Sequence, residues 1–199
     1  MNTSVSMIQR VLMASVAAGL ALAFVGCSFK PLKIAVQPDI ALPQTNIGQG
    51  KEIAVTVVDQ RENSRLGYRR ISDKQADISA ESPLATTLES LLVEGLALQG
   101  FKPTGTAESS VPHYELQIVK TDYITDAAAV KAKMTLDTEL RAVVALSDKV
   151  VRKSYIIERE ENMAFAPMAD DNAEFINKAL GKTLQSALED EALLQQLAQ

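Results

Sequence analysis

The chain is short of the residues that most protein chemistry uses: one cysteine, one histidine and no tryptophan in 199 residues. With His113 alone and no spare thiol, the usual zinc sites, built chiefly from Cys and His, are excluded. Ser-His-Asp catalysis would need His113 in the one correct place, and no G-x-S-x-G elbow supports it. No glycine-rich phosphate loop is present. Basic residues are scattered rather than massed, which argues against nucleic-acid binding. Together these gaps predict a chain with no enzymatic activity, no metal and no cofactor. Asp and Glu are plentiful, but Glu158, Glu160 and Glu161 read as solvated turns. Asp170 and Asp171 read as the start of a helix, where negative charge is favoured.

Long apolar runs are also missing, apart from Val11–Val25. Fifteen residues at 1.5 Å each fall short of a hydrocarbon core about 30 Å thick. Arg10 precedes the run, and Gly26 and the lone Cys27 end it, which is the layout of an export signal. A cysteine at the cleavage point is what a bacterial lipoprotein needs, because its thiol takes the diacylglycerol and the new amino terminus is acylated. Phe24 stands where the lipoprotein box favours Leu. Ser28 follows the cysteine, where Asp would favour inner-membrane retention, so the outer membrane is expected. The reading is therefore a signal peptide over 1–26, a lipidated amino terminus and tether over 27–50, and one periplasmic domain over 51–199. Removing 1–26 takes away Arg10 and no acid, moving the formal charge from −5 to −6. With its thiol acylated the domain has no disulfide, and its stability must come from packing.

Residues 28–50 carry three prolines, and Ile34 and Val36 alternate there with polar neighbours as in a short edge strand. Residues 52–58 are apolar on both faces, as expected of an interior strand. A second extended piece at Tyr68–Ile71 could close a hairpin with it. Ser82-Pro83 opens a helix whose stripe is Leu84, Leu88, Leu91, Leu92 and Leu96, with Gly100 as its stop. Phe101–Thr104 is extended, and a loop spans Gly105–Ser110. Tyr114, Leu116 and Ile118 mark another strand. Apolar residues then fall on even positions from Val130 to Leu146, interrupted only by Thr138, which is a period of two. Ser147–Lys149 turns, and Val150–Glu160 returns as the partner strand. A second amphipathic helix starts near Asn172, with Phe175, Ile176, Ala179, Leu180, Leu184, Ala187 and Leu188 on one stripe.

This order predicts an α+β two-layer sandwich, a mostly antiparallel sheet with two amphipathic helices packed on one face. The 130–146 strand would span roughly 55 Å and a 17-residue helix roughly 25 Å. The strand must therefore bend, break near Asp137–Thr138, or project as a hairpin that could receive a partner.

Asp59, Arg61, Arg65, Arg69 and Arg70 form the densest charged group. Guanidinium pairs well with carboxylate and phosphate, so the four arginines are the candidate anion or partner surface. The simpler reading has Asp59 bonding Arg61 or loop amides to shape the turn before Gly67.

The signal ending at Cys27, the run I-A-V-Q-P-D-I-A-L-P-Q at 34–44 and V-T-V-V-D-Q-R at 55–61 together resemble the YajG family of uncharacterised bacterial lipoproteins. The resemblance implies an outer-membrane lipoprotein facing the periplasm of a Gram-negative bacterium and supplies no catalytic residue. The expected function is that of a lipid-anchored accessory protein engaging an envelope protein. The alternative is a module that holds a lipid, glycan or peptide between helices and sheet.

Overall fold

The computed structural model describes residues 30–105, 111–128 and 131–199. Cys27, the signal segment, Val130 and the 106–110 part of the expected loop lie outside the described residues.

The strands are β1 (Leu32–Ile34), β2 (Glu52–Asp59), β3 (Arg65–Ile71), β4 (Lys74–Ala80), β5 (Lys102–Thr104), β6 (His113–Ala128), β7 (Lys131–Ala145) and β8 (Val150–Met163). The helices are α1 (Leu84–Leu98), α2 (Ala169–Leu188) and α3 (Glu191–Leu197). The two-layer antiparallel sandwich is wrong. The sheet is mixed and curls into a half-barrel. Among the described residues four pairings are parallel (β1 with β4, β2 with β5 and β6, β3 with β6), and β3–β4, β6–β7 and β7–β8 are antiparallel.

The spine is β6. One edge pairs with β7 from His113 to Ala128. Its other edge serves two strands in turn: Ile118 is the last residue on β2, and Tyr123 is the first on β3. Between Ile118 and Lys120 the register against β7 slips, leaving Val119 as a bulge. An extra residue inverts the phase of every side chain after it. Tyr114, Leu116 and Ile118 are accordingly buried before the bulge, and Tyr123, Thr125 and Ala127 after it. The bend required by the strand-length mismatch therefore comes with a bulge in the partner of β7. No register break occurs in β7 near Asp137–Thr138, and its even positions stay buried from Ala132 to Val144. No dry face is left for a hairpin to carry beyond the helices.

β3 pairs with β4 rather than with β2, and β4 has too weak an alternation to stand out in the sequence. Gly67 permits the close approach of β3 to β6. Its φ is +158°, and a Cβ there would lie 1.8 Å from the Tyr123 carbonyl oxygen. Residues 32–50 lie on the body: Ile34 and Val36 are buried, and Ile40, Leu42 and Ile47 pack against the core.

The helices form where the leucine stripes put them, with two local differences. Pro83 takes the position before α1, and no side chain caps that end, so the Ser82 hydroxyl is not used. The carboxy-terminal helix is two helices, because Asp190 breaks the run and its side chain accepts from the Leu193 N–H at 3.3 Å. Gly100 ends α1 with φ +87°. At the start of α2, the Asp171 carboxylate accepts from the Met168 N–H at 2.8 Å. Leu88, Leu92 and Leu96 of α1 and Leu180, Leu184 and Leu188 of α2 are fully buried. Each such leucine contributes about 2 kcal/mol of burial.

Candidate functional site

Arg61 is built into the fold. Its Nε and Nη2 donate to the two Asp59 carboxylate oxygens at 2.8 and 2.6 Å, and its Nη1 donates to Arg65 O at 3.0 Å and Thr121 Oγ1 at 2.5 Å. Only 6% of its side chain is exposed. The contacts bridge the stretch of β6 where β2 has ended and β3 has not begun. Burial pushes the Asp59 carboxyl up, but the bonds from Arg61 outweigh it and hold the group below the usual carboxylate range. The V-T-V-V-D-Q-R run thus ends in a staple that closes a gap in the sheet.

The other three arginines are also engaged. Arg65 pairs with Asp77 at 3.5 Å and Arg70 with Asp126 at 2.7 Å. The Arg69 Nη2 donates to the Lys30 carbonyl at 2.7 Å, fixing the first described residue after the expected anchor. Arg61, Arg65, Arg69 and Arg70 therefore do not converge on a shared anion site. They are spread along a loop and one strand, each on its own partner.

His113 opens β6, and its Nε2 lies 2.8 Å from the Thr56 Oγ1, a cross-strand contact. The acidic residues near 158–161 lie on strand β8 rather than in a turn. Asp122, Asp137, Glu158 and Glu160 line a depression of about 540 Å³ on the outer sheet face. Lys120 bonds Asp137 there, and Lys133 pairs with Glu160 at 2.8 Å. Among the described residues, no group of three or more His, Cys, Asp or Glu is placed to hold a metal ion.

Two buried polar clusters escaped the sequence reading. Tyr123 donates to Asn172 Oδ1 at 2.6 Å, and Thr125 donates to the Tyr123 hydroxyl at 2.6 Å, tying β6 to the first turn of α2. Burial pushes the Tyr123 hydroxyl up to about 12. At the far end of the core, Tyr155 donates to Asp190 Oδ2 at 2.6 Å, and Lys153 bonds the same oxygen. The even-odd position of Tyr155 in its strand was the only available signal. Tyr114, Tyr123 and Phe175 help fill the space between sheet and helices and are buried. An open groove of about 870 Å³ lies outside that core, between residues 35–39 and the outer side of α2, lined mainly by polar side chains.

The remaining feature is the edge of the sheet. Among the described residues, β8 pairs with β7 alone. The Leu146 N–H donates to the Lys149 carbonyl at 2.9 Å, which sets the phase of the hairpin. Odd residues of β8 then bond β7, and the even residues from Val150 to Asn162 turn their backbone groups to the open side. Ile156, at the middle of that series, is 57% exposed. Arg152 and Lys153 stand on one side of it and Glu158 and Glu160 on the other.

A family described as uncharacterized lipoprotein matches residues 38–198. No curated protein matches the chain. Among solved structures, the chain is similar to a Xanthomonas campestris protein of family DUF330, with 14% identity and a TM-score of 0.49 over 84% of this chain and 96% of the other. It is also similar to a Helicobacter pylori protein described as a homolog of a neuraminyllactose-binding hemagglutinin, with 9% identity and a TM-score of 0.49 over 84% and 97%.

Proposed function

Because the chain belongs to the uncharacterized lipoprotein family, the YajG family, we propose that it is a non-catalytic accessory protein of the bacterial envelope. It is acylated at Cys27, held at the outer membrane on the periplasmic side, and engages an envelope protein through β8. The observation that carries the partner reading is the open edge of this 14-residue strand. Such an edge offers a row of unpaired backbone donors and acceptors to an extended segment. The charged residues at its open-edge positions, Arg152 before Ile156 and Glu158 and Glu160 after it, set which segment and direction fit, and they oppose unspecific pairing.

The test is a photo-crosslinking residue placed at Ile156, and separately at Arg152, in the acylated chain in its native membrane, with Ser186 as a control. The expected result is one defined envelope protein trapped from both β8 positions and not from Ser186. No reproducible product from β8 would refute the partner reading. Intact mass of the same material, against Cys27→Ala, tests acylation separately.

The ligand-binding reading is supported by the groove beside α2 rather than by the filled space between helices and sheet. It predicts a small molecule that co-purifies and is lost when Asn177 is replaced by a bulky residue.

A further inference from the structure

Four strand ends meet at one end of the sheet. Ile71 pairs with Ala127, Ala127 with Ala132, and Ala132 with Met163, so the ends of β3, β6, β7 and β8 form one row. Three strand spacings make it about 14 Å wide. From this row the chain leaves into the β3–β4 turn at one side and into the β8–α2 loop at the other. That loop reads Ala164-Phe165-Ala166-Pro167-Met168. Phe165 is 72% and Met168 73% exposed, the two most exposed large apolar side chains among the described residues, and Ile71 is 39% exposed. The other exposed large apolar residues are single and elsewhere: Val58, Val93, Val150 and Ile156.

The amino terminus arrives at the same end. β1 runs parallel to β4 with Leu32 opposite Ile78, and Arg69, the cross-strand partner of Ala76, donates to Lys30 O. Followed backwards, the chain therefore heads for the β3–β4 turn. Cys27 is three residues before Lys30 and can lie no more than about 10 Å away.

We propose that this end of the half-barrel, centred on Ile71, Phe165 and Met168, rests in the surface of the bilayer that holds the lipid anchor. The proposal rests on the lipoprotein reading above. A tether this short leaves the domain little freedom to turn another face to the membrane. Exposed Phe and Met side chains suit the boundary between headgroups and acyl chains. Lys74 and Lys131, the cross-strand partners of Ile71 and Ala128, stand at the same end, and side chains of this length can reach headgroup phosphates. Asp73 and Asp170 are near as well, so apolar insertion rather than net charge carries the contact.

The experiment uses the full-length acylated protein, whose only native thiol is consumed by the anchor. An environment-sensitive fluorophore is attached at Ala164→Cys or, at the opposite end of β7 and about 45 Å away along the strand, at Ser147→Cys. Each is reconstituted at low protein density in vesicles of phosphatidylethanolamine and phosphatidylglycerol containing brominated lipid. Quenching is expected to be several-fold stronger at residue 164 than at 147. Adding Phe165→Ser with Met168→Ser should bring the residue 164 signal down toward that of 147. Equal quenching at the two ends, or no effect of the serine pair, would overturn the proposal while leaving acylation intact. A mass without acyl chains would remove the anchor and the proposal with it.

Discussion

Asp190→Ala tests how the last helix is held. The Asp190 carboxylate does three things: it caps α3 through Leu193 N–H, accepts the Tyr155 hydroxyl at 2.6 Å, and bonds Lys153. Losing the cap costs about 1 kcal/mol. Leaving the Tyr155 hydroxyl in a largely buried site without its acceptor costs roughly 1–3 kcal/mol. Lys153 is 52% exposed and regains water, so its loss adds little. The expected total is about 2–4 kcal/mol, or a Tm lower by roughly 4–16 °C for a domain of this size. Urea unfolding with an unchanged slope is the assay. A double-mutant cycle with Tyr155→Phe should show coupling of about 1–2 kcal/mol. A loss under about 0.5 kcal/mol for Asp190→Ala, or additive single effects, would refute this account. The pH dependence has a defined sign. Burial pushes the Asp190 carboxyl up, but bonds from Lys153, Tyr155 and the Leu193 amide outweigh it and hold it below its ordinary value of 3.8. Its contribution is therefore complete above that value and is lost as pH falls through the lower folded-state value. Asp190→Ala should flatten the acid limb of the stability curve.

Tyr114 is fully buried and its hydroxyl has no hydrogen-bond partner among the described residues, so Tyr114→Phe should leave stability within about 1 kcal/mol or raise it; a clear loss in urea unfolding would show that the hydroxyl is used. Arg61→Ala should cost about 2–3 kcal/mol by removing the staple across the β6 gap, with no change in phosphate binding measured by calorimetry. Gly67→Ala should cost more than about 3 kcal/mol or prevent folding, since its Cβ would overlap the Tyr123 backbone; a circular-dichroism melt decides. Tyr123→Phe should cost about 1–2 kcal/mol, read as a lower melting temperature, because Asn172 and Thr125 lose a buried partner.

What could be read from residues alone was whatever depends on neighbours in the chain. The even-numbered run in β7 gave a strand with one dry face, because alternation is a local property of extended backbone. The stripes of α1 and α2, the stop at Gly100 and the turn at Ser147–Lys149 are local for the same reason. The tertiary structure decided which strands lie side by side. The partners of β6 on the edge away from β7, β2 and β3, are separated from it by tens of residues, and parallel pairing leaves no turn signature between the paired strands. The Val119 bulge was hidden because an apolar residue on either parity fits an apolar strand, and only the fixed register against β7 shows that one residue is extra. The arginines looked like a binding surface because charge is visible in a sequence while its neutralising partners are not. Asp59 was near enough in the chain to suspect, whereas Thr121, Asp126 and the Lys30 carbonyl became neighbours only when distant segments packed together.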